Sequence, residues 1–355
     1  ILAVTEQNRM NNEKQLLSKD DLVMAYEDAK RILVELDKIL IGRPELHRLV
    51  LIGILSRGHI LLEGLPGVGK TALIKTLGCL LGLKFSRVQF TPDLMPGDIL
   101  GAYILQQAAD GRRETEFRPG PIFTNILLAD EINRASPKTQ SALLEAMQEK
   151  CVTLMGNTRK LPEPFFVLAS QNPIELEGTY ALPEAQLDRF LFKLEVSAAS
   201  VETMKTIISS RRHGEPPLPS FEVSPERLDK LFAIMDKIYL SDAVADYIAR
   251  LVDATSPFSE TAMTKVKDYV QYGASPRAAI AVAESARGVA LLAGRPTVGF
   301  KDVKEVFVPA LNHRVLLNYK ARFEGITARN LLEEILEKVS VADLDISDDI
   351  SLKEK

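Results

Sequence analysis

Apolar positions recur at helical spacing in "LVMAYEDAKRILVELDKIL", which begins at Leu22, and "IGRPE" interrupts the pattern before a second helix over about Glu45–Ser56. "HILLEG" then reads as a short buried strand. After a Gly-rich turn, Leu73, Leu77, Leu80 and Leu81 fall on one helical face. Strand-like "KFSRVQF", "IFTNILLAD", "PFFVLAS" and "FLFKLEV" follow. A helix between the second and third of these starts at Ser136 as N-cap and Pro137 as N1. Strands alternating with helices predict an α/β core, a parallel sheet with helices on both faces.

Two segments break the alternation. "GAYILQQAADGRRETEFRPG" sets Asp110-Gly111 between strand-like arms, and "CVTLMGNTRKLPE" sets Gly156-Asn157 between "VTLM" and "TRKL". Each predicts a β-hairpin inserted beyond what the sheet requires. After about Ser200 the strands stop and "GEPPLPS" makes a loop. Ser224-Pro225, Ser241 or Asp242, Ser275-Pro276 and Asp302 then mark helix starts, which predicts a small all-helical second domain. The expected division is a flexible segment at 1–21, the α/β core at 22–198, the helical domain at 199–340 and a polar, acidic tail at 341–355, whose "DLDISDDISLKEK" frays. The chain begins at Ile1; Met10 is a candidate true start, with the first dozen residues a processing remnant and no signal peptide expected.

Composition narrows the picture modestly. At 355 residues, 46% hydrophobic and 26% charged, the chain is ordinary for a two-domain globular protein. A net charge of -4 gives no support to general nucleic-acid binding. Cys79 and Cys151 lie in apolar or strand-like surroundings and are expected to be buried free thiols, consistent with a reducing, cytoplasmic setting. His47, His59, His213 and His313 are scattered without metal-ligand spacing. "LVLIGIL" is too short for a membrane span and ends at Ser56-Arg57.

The chemistry starts at "GLPGVGKT", Gly64 to Thr71, which fits G-x-x-x-x-G-K-[ST] between a buried strand and a helix. Its glycines let backbone N–H groups approach phosphate, and the helix N-terminus adds partial positive charge. Lys70 would reach the β- and γ-phosphates, and the Thr71 hydroxyl would hold Mg²⁺. "ILLAD" ends in Asp130, with Glu131 next, at the strand end where open α/β sheets bind ligands. Asp130 suits the Mg²⁺ shell, and Glu131 would orient or deprotonate a water. Gln171-Asn172, at the end of the next strand, either senses phosphate or simply turns the chain before Pro173. Arg277, at N2 of its helix, opposes the macrodipole, so it either meets an anion or is a solvated surface residue. Arg189, beside Asp188 at the mouth of "FLFKLEV", either makes a structural ion pair or acts on a substrate.

Taken in order, the P-loop, "ADEINRASPKTQSALLEAMQE", "QNP", "LPEAQLDRF" and "GASPRA" closely resemble the MoxR branch of the AAA+ ATPases, over about Ile41 to Arg314. "TPDLMPGDILG", "RPGPIF" and "GHILLEG" add to the likeness. Many members carry Ala where this chain has Gly69, the general P-loop choice. The resemblance implies an AAA+ core with a five-stranded parallel sheet, two hairpins facing the pore of a ring, and a helical lid. It implies ATP and Mg²⁺ as cofactors. Ile41 and Gly42 would lie near adenine, and Gly64, Pro66, Gly67, Val68, Gly69 and Ala72 would join Lys70, Thr71 and Asp130 around the nucleotide. Asn172 becomes a first sensor and Arg277 a second. Arg189, before a strand that the AAA+ sheet order places at an edge away from the P-loop, becomes an arginine finger supplied to a neighbouring subunit.

The implied function is ATP hydrolysis in a homo-oligomer, a hexamer by family habit, coupled to remodelling, maturation or assembly of partner proteins. Those partners would include separate von Willebrand factor A-domain proteins, and metal-cofactor insertion is one suggested role. A nucleic-acid motor is the alternative, supported locally only by Arg112, Arg113 and Arg118, which alternate with Glu114 and Glu116. A nucleotide-gated scaffold is the third reading, and Glu131 argues against it.

Overall fold

A computed structural model describes residues 17–65, 67–107, 113–173, 178–210 and 216–341. Met10, Pro66, the Asp110-Gly111 turn, Arg112, His213 and the acidic tail lie outside the described residues.

The chain opens with α1 (Lys19–Ile39) and α2 (Pro44–Leu55), then runs through β1 (Ile60–Glu63), α3 (Lys70–Leu80), β2 (Phe85–Gln89) and α4 (Pro96–Leu100). A first hairpin, β3 (Gly101–Gln107) with β4 (Arg113–Pro119), precedes β5 (Ile126–Asp130) and α5 (Pro137–Glu149). A second, β6 (Cys151–Leu154) with β7 (Asn157–Lys160), precedes β8 (Phe166–Gln171), α6 (Glu184–Leu187) and β9 (Phe192–Glu195). Then come α7 (Val201–Ser210), α8 (Pro225–Asp236), α9 (Asp242–Asp253), α10 (Thr264–Tyr269) and β10 (Val270–Tyr272). The last elements are α11 (Pro276–Leu292), α12 (Phe300–Leu311), β11 (Leu316–Leu317), α13 (Tyr319–Phe323) and α14 (Ala328–Lys338).

Five strands form one parallel sheet in the order β2-β5-β8-β1-β9. Side chains alternate along β1: Ile60 and Leu62 join the core shared with α1, α2, α3 and the helical unit, while Leu61 joins the core under α5. Both faces are therefore covered, which suits the near-continuous apolar strands. β8 lies between β5 and β1, so its end sits between the P-loop and the acidic end of β5.

Ser136, Ser224 and Ser241 cap their helices as the sequence predicts, each accepting a hydrogen bond from the N3 amide. Four expectations change in detail. The helix expected at Asp302 starts earlier: Gly299 is the N-cap, and Asp302 is the N3 carboxylate that accepts from the Gly299 N–H at 2.7 Å. The second hairpin turns one residue sooner than expected, at Met155-Gly156, because Leu154 pairs with Asn157. Both turn residues have positive φ, 50° and 77°, as a two-residue primed turn requires. The helical unit also carries a short antiparallel pair, β10 with β11. The thiols are not buried: Cys79 is exposed and Cys151 half-buried. Cys79 stands two residues past Leu77, about 200° around α3 from the leucine face.

No described helix is long and apolar enough to cross a membrane.

Candidate functional site

β1 delivers the chain to "GLPGVGKT" at the C-terminal end of the sheet, and Gly69, at φ 89°, caps α3 in the left-handed region. That conformation turns loop amides toward the ligand side, where the space over Gly67 is open. Lys70 is the first helical residue, is buried, and donates from Nζ to the Gly64 carbonyl at 2.7 Å. Burial pulls its pKa below the usual lysine value, against the opposing pull of Asp130 and Glu131.

The acidic wall comes from β5. Asp130 accepts from Ser170 Oγ at 2.5 Å on one oxygen and from Arg87 Nη2 at 2.7 Å on the other. Glu131 follows with φ 56° and ψ 48°, a left-handed backbone that costs a non-glycine residue roughly 1–2 kcal/mol. Its amide donates to Ser170 Oγ at 3.0 Å, and its carboxylate accepts from Gln89 Nε2 at 2.7 Å and Arg134 Nη1 at 2.9 Å. Asn172 is buried at the end of β8.

Lys70, Thr71, Asp130, Glu131 and Asn172 thus line one cavity of about 360 Å³, with Gly67, Gly69 and Ala72. Three cations (Lys70, Arg87 and Arg134) surround two carboxylates, leaving a net positive charge for an anionic ligand. The hydroxyl of Thr71 and the carboxylate of Asp130 are hard oxygen donors facing the same space, so the residues present fit Mg²⁺ beside a phosphate chain.

A second cavity, about 530 Å³, shares Gly67, Gly69, Lys70 and Ala72 with the first and is mainly apolar. Ile41, Val68, Met204 and Ile207 line it, a surface suited to a flat heterocycle. Gly42 lies just outside with φ 95°, and a β-carbon there would come within 2.5 Å of the Thr203 side chain. Arg43 ties this region together, donating to the carbonyl of Val68 in the P-loop and, at 2.7 Å, to that of Ser197.

Sequence reasoning missed Arg43, Arg87, Gln89 and Ser170. For Arg87 and Gln89 a signal existed. They alternate on β2, and Gln89 is in register with Asp130 at the ligand end of the sheet.

Among the described residues, four expected ones line neither cavity: Gly42, Gly64, Arg189 and Arg277. Arg189 donates to the Leu144 carbonyl on α5, so it makes a backbone contact where the ion-pair reading expected a carboxylate partner. β9 is the edge strand, yet it pairs directly with β1. Arg189 is separated from the P-loop by standing at the opposite, N-terminal end of the sheet. Arg277, carried over as the second sensor, is also absent from the cavities. Its guanidinium lies 3.6 Å from Asp188, beside Arg189. The cause is the docking of the helical unit: the buried Arg314 donates to Asp188 Oδ1 at 2.8 Å and to the carbonyls of Asp188 and Phe190, holding α12 and the start of α11 at that end.

Family comparisons agree with this geometry. The profile of the ATPase family associated with various cellular activities (AAA) matches residues 59–192, and that of the AAA lid domain matches 262–335. The chain is 44% identical to Chaperone MoxR1 of Mycobacterium tuberculosis over 322 residues, 91% of this chain and 84% of that one. It is 41% identical to the uncharacterised protein YeaC of Bacillus subtilis, covering 90% and 98%, and 33% identical to Protein MoxR of Paracoccus denitrificans, covering 82% and 90%. The crystal structure of a candidate ATPase from Cytophaga hutchinsonii superposes with a TM-score of 0.82 at 40% identity, covering 90% of this chain and 97% of that one. P-loop, acidic strand end and helical lid come together in one chain that matches these relatives along nearly its whole length: it belongs to the MoxR family of AAA+ ATPases.

Proposed function

We propose that this chain binds ATP and Mg²⁺ at the P-loop and hydrolyses the nucleotide in a ring of identical subunits, using the cycle to remodel a partner protein. The observation that carries the reading is the convergence of Lys70, Thr71, Asp130, Glu131 and Asn172 on one cavity with an apolar cavity next to it. Lys70 would exchange the Gly64 carbonyl for phosphate oxygens, and P-loop amides at the start of α3 would hold the β-phosphate. Thr71 and Asp130 would hold Mg²⁺, which when bound neutralises charge on the phosphates. Glu131 would take a proton as a water oxygen bonds to the γ-phosphorus and the bond to the bridging oxygen breaks. Gln89 and Arg134 both bond Oε2, so they would hold the carboxylate in place while Oε1 takes the proton. Asn172 would position that water.

Arg277 lies against Asp188, the residue before Arg189, at the far end of the sheet, while Arg189 reaches the Leu144 carbonyl there. In a ring that end would meet a neighbour's nucleotide, so both are assigned to the adjoining subunit's reaction. The chaperone description of the Mycobacterium relative supports a protein client. A hexamer, a cytoplasmic setting, von Willebrand factor A-domain partners and metal-cofactor insertion are carried over from the family resemblance.

The deciding experiment is Glu131→Gln. Turnover is expected to fall by about 10²-fold or more while ATP binding survives. Equal, negligible turnover by both proteins would instead support the nucleotide-gated scaffold.

A further inference from the structure

Arg87 has no part in the scheme above, yet it holds the residue assigned to the metal. Its Nη2 donates to Asp130 Oδ2 at 2.7 Å and to Gln89 Oε1 at 2.9 Å. Ser170 already occupies the other Asp130 oxygen. Asp130 is 13% exposed and Arg87 48% exposed, both line the cavity, and each carboxylate oxygen of Asp130 already accepts a hydrogen bond. A divalent cation at Asp130, direct or through one water, would face this guanidinium across a single carboxylate, and like charges at that range repel.

We infer that Arg87 is a built-in counter-cation of Asp130, displaced when a divalent cation arrives, and that it sets how much cation the site needs. The inference rests on the nucleotide-site reading above and deepens it. Displacement leaves Arg87 within the cavity, because Gln89 still accepts from it, and Gln89 is itself anchored to Glu131 at 2.7 Å. The surface ion pair therefore acts as a competitor for the metal, and removing it should favour the metal.

The test is the Mg²⁺ dependence of binding of a fluorescent ADP analogue to the full chain, in wild type, Arg87→Gln, Arg87→Lys, Asp130→Asn and the double variant Arg87→Gln with Asp130→Asn. Arg87→Gln is expected to lower the Mg²⁺ concentration for half-maximal enhancement by about two- to fivefold, the range an exposed ion pair supplies. Arg87→Lys, which keeps the charge, should stay near wild type. In the Asp130→Asn background, adding Arg87→Gln should leave the midpoint where it was, since the shared carboxylate is lost. An unchanged or raised Mg²⁺ midpoint in Arg87→Gln alone overturns the inference while leaving the nucleotide site standing. So does weaker metal-free ADP binding with an unchanged midpoint, which would make Arg87 a phosphate ligand. Failure of wild type to bind the analogue at any Mg²⁺ concentration overturns the nucleotide-site reading itself.

Discussion

Asp188 and Arg189 are neighbours in sequence and part company in the fold. Asp188 turns to Arg314 and Arg277, while Arg189 turns to the Leu144 carbonyl. The structural ion pair at "LDRF" therefore belongs to the aspartate. Arg314 is buried, and burial pulls its pKa down against the raising effect of Asp188. Arg314→Ala would remove the shortest partner of that carboxylate and uncover several carbonyls, at a cost of about 3 kcal/mol, read as a lower denaturant midpoint. Its neighbour His313 donates from Nε2 to the Phe190 carbonyl at 2.9 Å, and burial lowers its pKa to about 3. The unfolded chain takes up this proton first. The contribution of the neutral ring is thus complete above about pH 6.5 and is lost progressively as pH falls toward 3. His313→Gln should show a smaller drop in denaturant midpoint between pH 7 and pH 5 than wild type.

The two hairpins behave as a joined element. Arg159 of β7 lies 4.2 Å from the Phe117 ring of β4, and its Nη2 reaches the Tyr103 hydroxyl at 3.2 Å. Asn157 Nδ2 donates to the same hydroxyl at 2.9 Å. A double-mutant cycle of Arg159→Ala with Phe117→Leu should give about 0.5–1 kcal/mol of coupling, and additivity would mean the hairpins are independent. Beyond this clasp, Leu105 and Met155 are 65% and 83% exposed. Met155→Asn should stabilise the turn by about 0.5 kcal/mol, since Asn-Gly favours two positive φ values where Met does not. A stabilised variant with lower client-stimulated turnover would assign the methionine to client contact.

How much of this was readable in the chain depends on the range over which each feature is determined. The strands, the caps at Ser136 and Ser224, and the convergence of Lys70 with Asp130 follow from local patterns and from the rule that parallel strands end together. Arg43 and Ser170 left no local trace, because their partners lie far off in sequence. Nor did the position of Arg277, which is set by how the helical unit docks through Arg314. At the scale of the whole molecule that docking has a consequence. If Arg189 and Arg277 serve a neighbour, Arg189→Ala and Lys70→Ala should each hydrolyse ATP poorly alone, and their mixture should recover part of the activity. The hybrid interface would join an intact P-loop to an intact arginine, worth about 10³–10⁵ in rate. Mixed rings that form without any recovery would count against the assignment.

α5 runs from the turn after Glu131 to the start of the second hairpin, and Arg189 is fastened to its middle through Leu144. Thirteen residues make a rod about 20 Å long. Pivoted at the Glu131 end, a tilt of about 5° would sweep the hairpin end through nearly 2 Å and the Leu144 carbonyl through about half of that. If the proposed ring and client hold, one rigid lever would set both the stroke delivered to a client and the aim of the arginine offered next door, so the two could not be adjusted separately.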